Sequence, residues 1–195
     1  MEGSSMAVGR RTKELTYDKV PVDVKRIADE SMGRGALKSM WNSIVENTPG
    51  RNPRFYLILR VVDGEPVGFA LFHYAIVSTR RFDYTIGVID AVCVSTPYRG
   101  SGYGSMLTFN VLRRMSLHGV NRVELMLKAK KSDDDELPTL TTVGSERFLF
   151  DLGLKKIAYI EDYWREDSLT WGYDCVVCHE RPDSCTGVLM AVNES

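Results

Sequence analysis

Residues 92–104 decide the fold of this chain, and they read Val92-Cys93-Val94-Ser95-Thr96-Pro97-Tyr98-Arg99-Gly100-Ser101-Gly102-Tyr103-Gly104. The first three residues predict the end of a buried strand. Three glycines then occupy every second position, and from Tyr103 onward apolar residues recur at helical spacing. A strand therefore runs through a glycine-rich turn into a helix. The free N–H groups at such a helix start converge on an anion, so the turn is a candidate phosphate or pyrophosphate site.

The elements around the turn exclude two common phosphate-binding folds. Glycine lets the backbone approach phosphate oxygens without an intervening Cβ, while Arg99 can add a guanidinium fork and Ser101 a hydroxyl. A dinucleotide fold needs its glycines after the first strand of an alternating βα chain, whereas this turn follows an antiparallel hairpin and a third strand. A Walker-type loop needs a lysine that is missing before Gly104-Ser105. Neither of these two folds fits.

Upstream of the turn the apolar pattern predicts two helices and an antiparallel meander. The helices start near Pro21 and Leu37 and are separated at Gly33–Gly35. The meander consists of three strands joined by reversals at residues 63–65 and 80–83, with the strands at Phe55–Val62, Val67–Val77 and Tyr84–Val94.

Downstream of the turn the pattern predicts alternating helices and strands. The helix ends near Gly119, and Arg122–Leu127 is a buried strand, which makes one right-handed βαβ unit. The charged run Lys128–Glu136 predicts a solvated loop, and a second helix follows over 144–152 with Thr142 as its N-cap. Further strands are predicted at 154–160, 173–178 and 187–192.

Composition indicates one compact α+β domain. The chain has 195 residues, 44% hydrophobic and 26% charged, enough to bury roughly 70% of its unfolded surface. We expect residues 1–11, which are small and polar, to form a flexible tail and residues 12–195 to form the single domain.

Charge and hydropathy restrict the partners and the compartment. The formal net charge of -1 provides no general positive field, so we expect no nucleic-acid partner. No apolar run approaches the ~20 residues of a membrane-spanning helix, and the first residues lack the apolar block of a signal peptide. We therefore expect a cytoplasmic protein that does not bind a membrane, with its four cysteines reduced.

The run Arg99-Gly100-Ser101-Gly102-Tyr103-Gly104 resembles the coenzyme A loop, Gln/Arg-x-x-Gly-x-Gly/Ala, of the GCN5-related N-acetyltransferase (GNAT) superfamily. The resemblance extends from about Tyr17 to Arg181 in the order and spacing of the predicted elements. It implies the GNAT fold, a mostly antiparallel twisted sheet with one parallel strand pair, flanked by helices. It also implies acetyl-CoA as cosubstrate, direct acetyl transfer to a primary amine of a small molecule or protein, and a possible homodimer.

The same resemblance assigns roles to named residues. The strand Val92, Cys93 and Val94 would hold the pantetheine arm, and the acetyl thioester would point into a splay between this strand and Arg122–Leu127. The Val94 N–H would meet the oxyanion, and Asp90 would act as the base that receives the amine proton. The pyrophosphate would bind at Arg99, Gly100, Ser101, Gly102, Tyr103, Gly104 and Ser105.

The sequence departs from the family at the general acid. Leu149 stands where the family commonly has a tyrosine, and Thr142 stands at the place of a frequent asparagine. Tyr159 or Tyr163 can substitute, or the thiolate can leave unassisted or with help from water. The alternative function is a non-catalytic acyl-CoA-binding or scaffold protein on the same fold. In the loop after the parallel strand, Asp133–Asp135 would favour a cationic amine.

The remaining cysteines and histidines carry weaker signals. Cys175, Cys178, His179 and Cys185 have zinc-ligand spacing, but a strand over 173–178 would point Cys175 and Cys178 to opposite faces, so we expect no metal. Cys93 is expected to be a packing residue. His73 and His118 are expected to be a strand histidine and a helix-end histidine.

Overall fold

The computed structural model describes residues 15–46, 54–78, 83–130, 139–140, 145–164, 170 and 185–193. Its helices are α1 (Val22–Met32), α2 (Ala36–Glu46), α3 (Tyr103–Leu117) and α4 (Ser145–Asp151). Its strands are β1 (Phe55–Val62), β2 (Glu65–Ser78), β3 (Asp83–Val94), β4 (Arg122–Lys130), β5 (Thr139–Leu140), β6 (Lys155–Ile160) and β7 (Cys185–Asn193). Short 3-10 turns precede α1 at Tyr17–Lys19 and α3 at Thr96–Tyr98.

One sheet forms the middle layer. Its strand order is β1-β2-β3-β4-β7-β6, with β5 paired to β4. Only β3 and β4 pair in parallel among the described strands, and every other recorded pair is antiparallel. The predicted fold class is therefore confirmed, including the single parallel pair.

The two faces of the sheet carry separate hydrophobic cores. On one face, α3 packs Leu107, Val111 and Met115 against even-numbered residues of β2, and Leu149 of α4 joins the same core. On the other face, α1 packs Val24 and Ile27 against odd-numbered residues of β2. We call these the α3 face and the α1 face.

Most predicted elements agree with the structure, with one correction. The expected loop Lys128–Glu136 is wrong for its first three residues, because β4 continues to Lys130 and pairs there with β5 and β7. Pairing with β7 along all three residues, and with β5 at Ala129 and Lys130, gives their backbone groups partners despite the charge of the lysine side chains. The reversal at 80–82, Thr142, the rest of the charged run and the strand at 173–178 lie outside the described residues.

Candidate functional site

A β-bulge lies at Asp90. In the β2–β3 pair Leu71 faces Ala91 while Phe72 faces Ile89, so Asp90 is the extra residue. A bulge inverts the alternation of side chains along its strand. Accordingly Ile89 packs in the α3-face core, whereas Ala91 and Cys93 pack in the α1-face core. The bulge directs the Asp90 side chain to the α1 face.

The parallel pair opens at the same position. β3 and β4 are described throughout, and their recorded pairing runs from Ile86–Arg122 to Ile89–Leu125 and stops there. Each strand continues for five more residues, Asp90–Val94 and Met126–Lys130. We call this V-shaped gap the splay. It leaves one edge of the second half of β3 without its parallel neighbour, as the family resemblance implied.

The main chain of β3 points into the splay at alternate residues. The Ser95 N–H donates to the Val67 carbonyl at 2.9 Å, which makes that pair a hydrogen-bonded one. Hydrogen-bonded and non-hydrogen-bonded pairs alternate in an antiparallel ladder. The backbone N–H and C=O of Val94 and Val92 are therefore directed away from β2 and toward the splay.

The start of α3, beside the splay, is a candidate anion cradle. The first intrahelical bond recorded for α3 is from the Met106 N–H to the Gly102 carbonyl at 3.0 Å, so the amides of residues 102–105 precede the helical ladder. Gly100 and Gly102 adopt φ of +79° and +77°, and a Cβ on either would meet no protein atom within 4 Å. The glycines are thus needed for the backbone conformation and not for packing, and the space above them is open.

Arg99 ties the cradle to two neighbouring elements. Its Nε donates to the Val94 carbonyl at 3.1 Å, and its Nη2 donates to Ser31 Oγ of α1 at 3.1 Å. Ser95 Oγ also lies 3.5 Å from Glu30 Oε2 of α1. The last turn of α1 is therefore connected to both ends of the loop between β3 and the glycines.

Asp90 pairs with His73 of β2 on the α1 face. His73 Nδ1 lies 2.9 Å from both carboxylate oxygens of Asp90. The Asp90 side chain is 2% exposed and that of His73 is 10% exposed. Asp90 as a whole residue is nonetheless partly exposed, so its exposed surface belongs to the main chain at the bulge. We call this pair the dyad.

Burial raises the pKa of the Asp90 carboxyl, and the hydrogen bond and positive charge that His73 can supply partly oppose that rise.

Two aromatic rings hold the histidine in place. The Phe55 ring is tilted against the imidazole with centroids 5.6 Å apart, and Trp41 of α2 stacks on Phe55 at 3.9 Å. The role expected of His73 did not include this pairing. In the β2–β3 register His73 lies opposite Val88, so Asp90, two residues further on, is its diagonal neighbour. The bulge that completes the contact has no sequence signature.

The structure distinguishes the candidates for the general acid. Leu149 is 3% exposed in the α3-face core. Tyr159 faces Val188 across the β6–β7 pair and therefore lies on that same α3 face. Tyr163 lies on the other face, because a Cβ on Gly187 would be 2.9 Å from both Tyr163 Cβ and Met126 Sδ. Of the two tyrosines, Tyr163 is the one on the face of the dyad and beside the splayed part of β4.

The metal-ligand spacing near the C-terminus falls largely outside the described residues, which omit Cys175, Cys178 and His179. Within the described part of the chain no group of three or more His, Cys, Asp or Glu side chains is placed to hold a metal ion. Cys93 is buried in the α1-face core and forms no disulfide.

The chain matches the sequence profile of the acetyltransferase (GNAT) family over residues 24–136, which run from α1 past β4. The match covers more than half of the chain, so the protein belongs to this family of acetyltransferases. No curated protein sequence matches it significantly. The family assignment agrees with the resemblance that the glycine loop carried.

Solved structures show the same fold at low sequence identity. A GNAT family acetyltransferase from Elizabethkingia anophelis with acetyl-CoA bound aligns with a TM-score of 0.53 and 11% identity over 97% of each chain. The NatC complex bound to Gag peptide and CoA gives a TM-score of 0.55 with 11% identity over 89% of each chain. A ribosomal-protein-alanine N-acetyltransferase from Brucella melitensis gives 0.53 with 11% identity over 87% of this chain and 89% of that one.

Helices of membrane-spanning length and hydropathy were sought among the described residues, and none occurs there.

Proposed function

We propose that the protein binds acetyl-CoA in the splay and transfers the acetyl group directly to a primary amine of a small molecule or a protein. The single observation that carries this proposal is the coincidence of three features at one place. Parallel pairing ends after Ile89, the bulge lies at Asp90, and the glycine cradle follows eight residues after Val92. A CoA molecule needs a gap for its thioester and an anion site for its pyrophosphate, and the two are adjacent here.

The ligand contacts follow from the directions of the backbone groups. The pantetheine arm lies along Val92, Cys93 and Val94 and pairs with the main-chain groups that point into the splay. The pyrophosphate lies at the amides of Gly100, Ser101, Gly102, Tyr103, Gly104 and Ser105, where the helix dipole is positive. Arg99 lies beside the phosphates and holds the loop in place through Val94 and Ser31.

The reaction needs a neutral amine, a stabilised oxyanion and a leaving thiolate. The amine nitrogen attacks the thioester carbonyl, and the Val94 N–H stabilises the oxyanion that forms. The C–S bond then breaks and the thiolate takes its electron pair. Asp90 supplies the negative charge that drives removal of the amine proton. Tyr163 is the protein group proposed to protonate the thiolate, and departure with a water proton is the other route.

The test combines binding and turnover. Calorimetry with acetyl-CoA is expected to give a micromolar dissociation constant, equivalent to about -8 kcal/mol. CoA release is then followed with a panel of a polyamine, an aminoglycoside, free amino acids and peptides with a free N-terminus. Turnover of any amine supports the proposal. Tight binding with no turnover supports the alternative, a non-catalytic acyl-CoA-binding protein, which the burial of Leu149 at the family's tyrosine position favours.

We further propose a cytoplasmic location and leave the homodimer as a prediction for measurements of molecular mass in solution. The net charge of -1 continues to favour a partner other than nucleic acid. The selection of a cationic amine by Asp133–Asp135 is also a prediction, since these residues lie outside the described part of the chain.

A further inference from the structure

We propose that the imidazole Nε2 of His73 is the atom that receives the amine proton, and that Asp90 is a positioning residue that acts through His73. The inference rests on the proposed function and deepens it. The family resemblance pointed to Asp90 itself as the base. The contacts of the dyad instead make His73 the proton acceptor and Asp90 the residue that positions it.

The geometry identifies which ring nitrogen faces the carboxylate and hence which tautomer the neutral ring adopts. A carboxylate can only accept hydrogen bonds, and His73 Nδ1 lies 2.9 Å from both oxygens of Asp90. Equal distances place the nitrogen between the two oxygens, where one N–H can be shared by both. Nδ1 therefore carries the proton of the neutral ring. Nε2 is left with an unshared lone pair, which is the form a general base requires.

Exposure favours His73 over Asp90 as the group that meets substrate. The Asp90 side chain is 2% exposed and both of its oxygens are engaged by Nδ1, so it has little surface to offer an incoming amine. The His73 side chain is 10% exposed. Because Nδ1 faces the carboxylate, Nε2 lies on the side of the ring away from Asp90.

The surroundings hold the ring in one orientation beside the bulge. Phe55 is tilted against the imidazole, and Trp41 is stacked behind Phe55. Asp90, the partner of Nδ1, is the bulge residue that directly follows the last β3–β4 pair. A base fixed in this way loses little conformational entropy when the amine binds.

The proton balance of the step is complete. Nε2 takes one proton from the attacking nitrogen as the N–C bond forms and the C–S bond breaks. The electron pair of the broken bond goes to the CoA thiolate. The imidazolium then faces the Asp90 carboxylate, and this ion pair stabilises the positive ring until the proton passes to the thiolate or to solvent. No oxidant, metal or further reactant is needed.

The first experiment needs no variant and no substrate. Nitrogen-15 NMR of the neutral imidazole in the wild-type protein is expected to show Nδ1 protonated and Nε2 unprotonated. In Asp90→Asn the side-chain amide can donate to Nδ1, so we expect the other tautomer to become populated. A wild-type ring with its proton on Nε2 would overturn the assignment whether or not any amine is acetylated.

The second experiment uses the best amine of the panel. His73→Gln and Asp90→Asn are each expected to lower kcat about 10²-fold or more, since general-base catalysis contributes ~10² to 10⁴. The KM for acetyl-CoA and its dissociation constant should stay within about threefold. Because the two residues act as one unit, the double variant should be no more than about threefold slower than either single variant.

Matched controls carry the same chemical changes elsewhere. His118→Gln changes an exposed histidine after α3, and Asp83→Asn changes an exposed aspartate at the start of β3. Both should keep kcat within about twofold. If His73→Gln binds acetyl-CoA and retains most of the wild-type kcat while Asp90→Asn does not, Asp90 is the base and the inference is wrong. If the wild type acetylates no amine, the proposed function fails and the base assignment falls with it.

Discussion

The two halves of β3 belong to one strand and serve different purposes. From Ile86 to Ile89 the strand lies between β2 and β4, and its residues are paired on both sides. From Asp90 to Val94 only β2 remains, and main-chain groups point into a gap. A single bulge, placed where one ladder ends, thus leaves the second half of the strand with a free edge, which is the edge that we propose binds the ligand. Substitutions in the first half should therefore affect stability, and substitutions around the second half should affect ligand and turnover.

The largest effect is expected from Gly102→Asp at the cradle. The change places a Cβ at φ +77°, where L side chains are rare, and a negative charge at the proposed phosphate site. We expect CoA affinity to fall by more than about 10²-fold in calorimetry. Gly64→Asp is the matched control, because Gly64 also has a positive φ, +85°, and open space around it but lies in the turn between β1 and β2. Unchanged CoA binding by Gly102→Asp would remove the cradle from the site.

The second effect separates the two tyrosines near the C-terminal strands. Tyr163 is on the dyad face beside β4, whereas Tyr159 is on the opposite face. Tyr163→Phe should lower kcat about tenfold or more if it protonates the thiolate. Tyr159→Phe, the matched control, should leave kcat within about twofold. Equal rates for both variants and the wild type would favour unassisted or water-assisted departure of the thiolate.

The third effect concerns Arg99, whose two hydrogen bonds to Val94 and Ser31 we call the arginine tie. Arg99→Ala removes the hydrogen bonds to Val94 and Ser31 and one positive charge, so CoA binding should weaken about tenfold. Ser31→Ala removes only the α1 end of the tie and should weaken binding about twofold. Calorimetry of both variants tells the two contributions apart. Equal losses would mean that the tie matters and the charge does not, and no loss in either would exclude both roles.

In the paired half, Gly87→Val is expected to change stability while leaving the site intact. A Cβ at Gly87 would lie 2.5 Å from Met115 Sδ and 2.9 Å from Met115 Cε, inside the α3-face core. Overpacking of this kind costs about 1–3 kcal/mol of unfolding free energy. Urea unfolding measures that loss, and the CoA dissociation constant of the folded protein should not move. A variant that kept its stability and lost CoA binding would contradict the division of β3.

The smallest effect concerns Tyr74 of β2, which pairs with Gly87 in the first half of β3 and packs on the α3 face, opposite to the dyad. Burial raises its pKa to about 12 from the ordinary 10. The folded protein keeps this proton between pH 10 and about 12, where the unfolded chain loses it, so the contribution to stability falls as pH rises through that range. Absorbance titration at alkaline pH should show a late phenolate that Tyr74→Phe removes. Titration of that phenolate near pH 10 would contradict the burial.

Much of the fold could be predicted from sequence because period and turn chemistry are local. The strand Phe55–Val62 was predicted with its observed bounds, and the change of period after Gly102 marked α3. The cradle could be predicted for the same reason, since Gly100 and Gly102 take the backbone conformation that glycine favours. β5 and the end of β4 were missed, because a charged strand stabilised by its neighbours has no apolar pattern of its own.

The dyad could not be predicted, because it depends on register. His73 and Asp90 are 17 positions apart, and only the extra residue at the bulge turns the carboxylate toward the imidazole. The separation of Tyr159 from Tyr163 has the same origin. Their positions in sequence are similar, and their faces are set by the β6–β7 register and by packing on Gly187.

The central claim is that the second half of β3, the cradle and the dyad form one acetyl-CoA site. A crystal structure of the protein with acetyl-CoA tests it most directly. We expect the pyrophosphate at the Gly100–Ser105 amides and the pantetheine along Val92 and Val94. We also expect the thioester carbonyl within hydrogen-bond distance of the Val94 N–H and the acetyl group on the α1 face of the sheet, where the dyad lies. A cofactor bound elsewhere, or a pantetheine arm that stays outside the splay, would contradict the account.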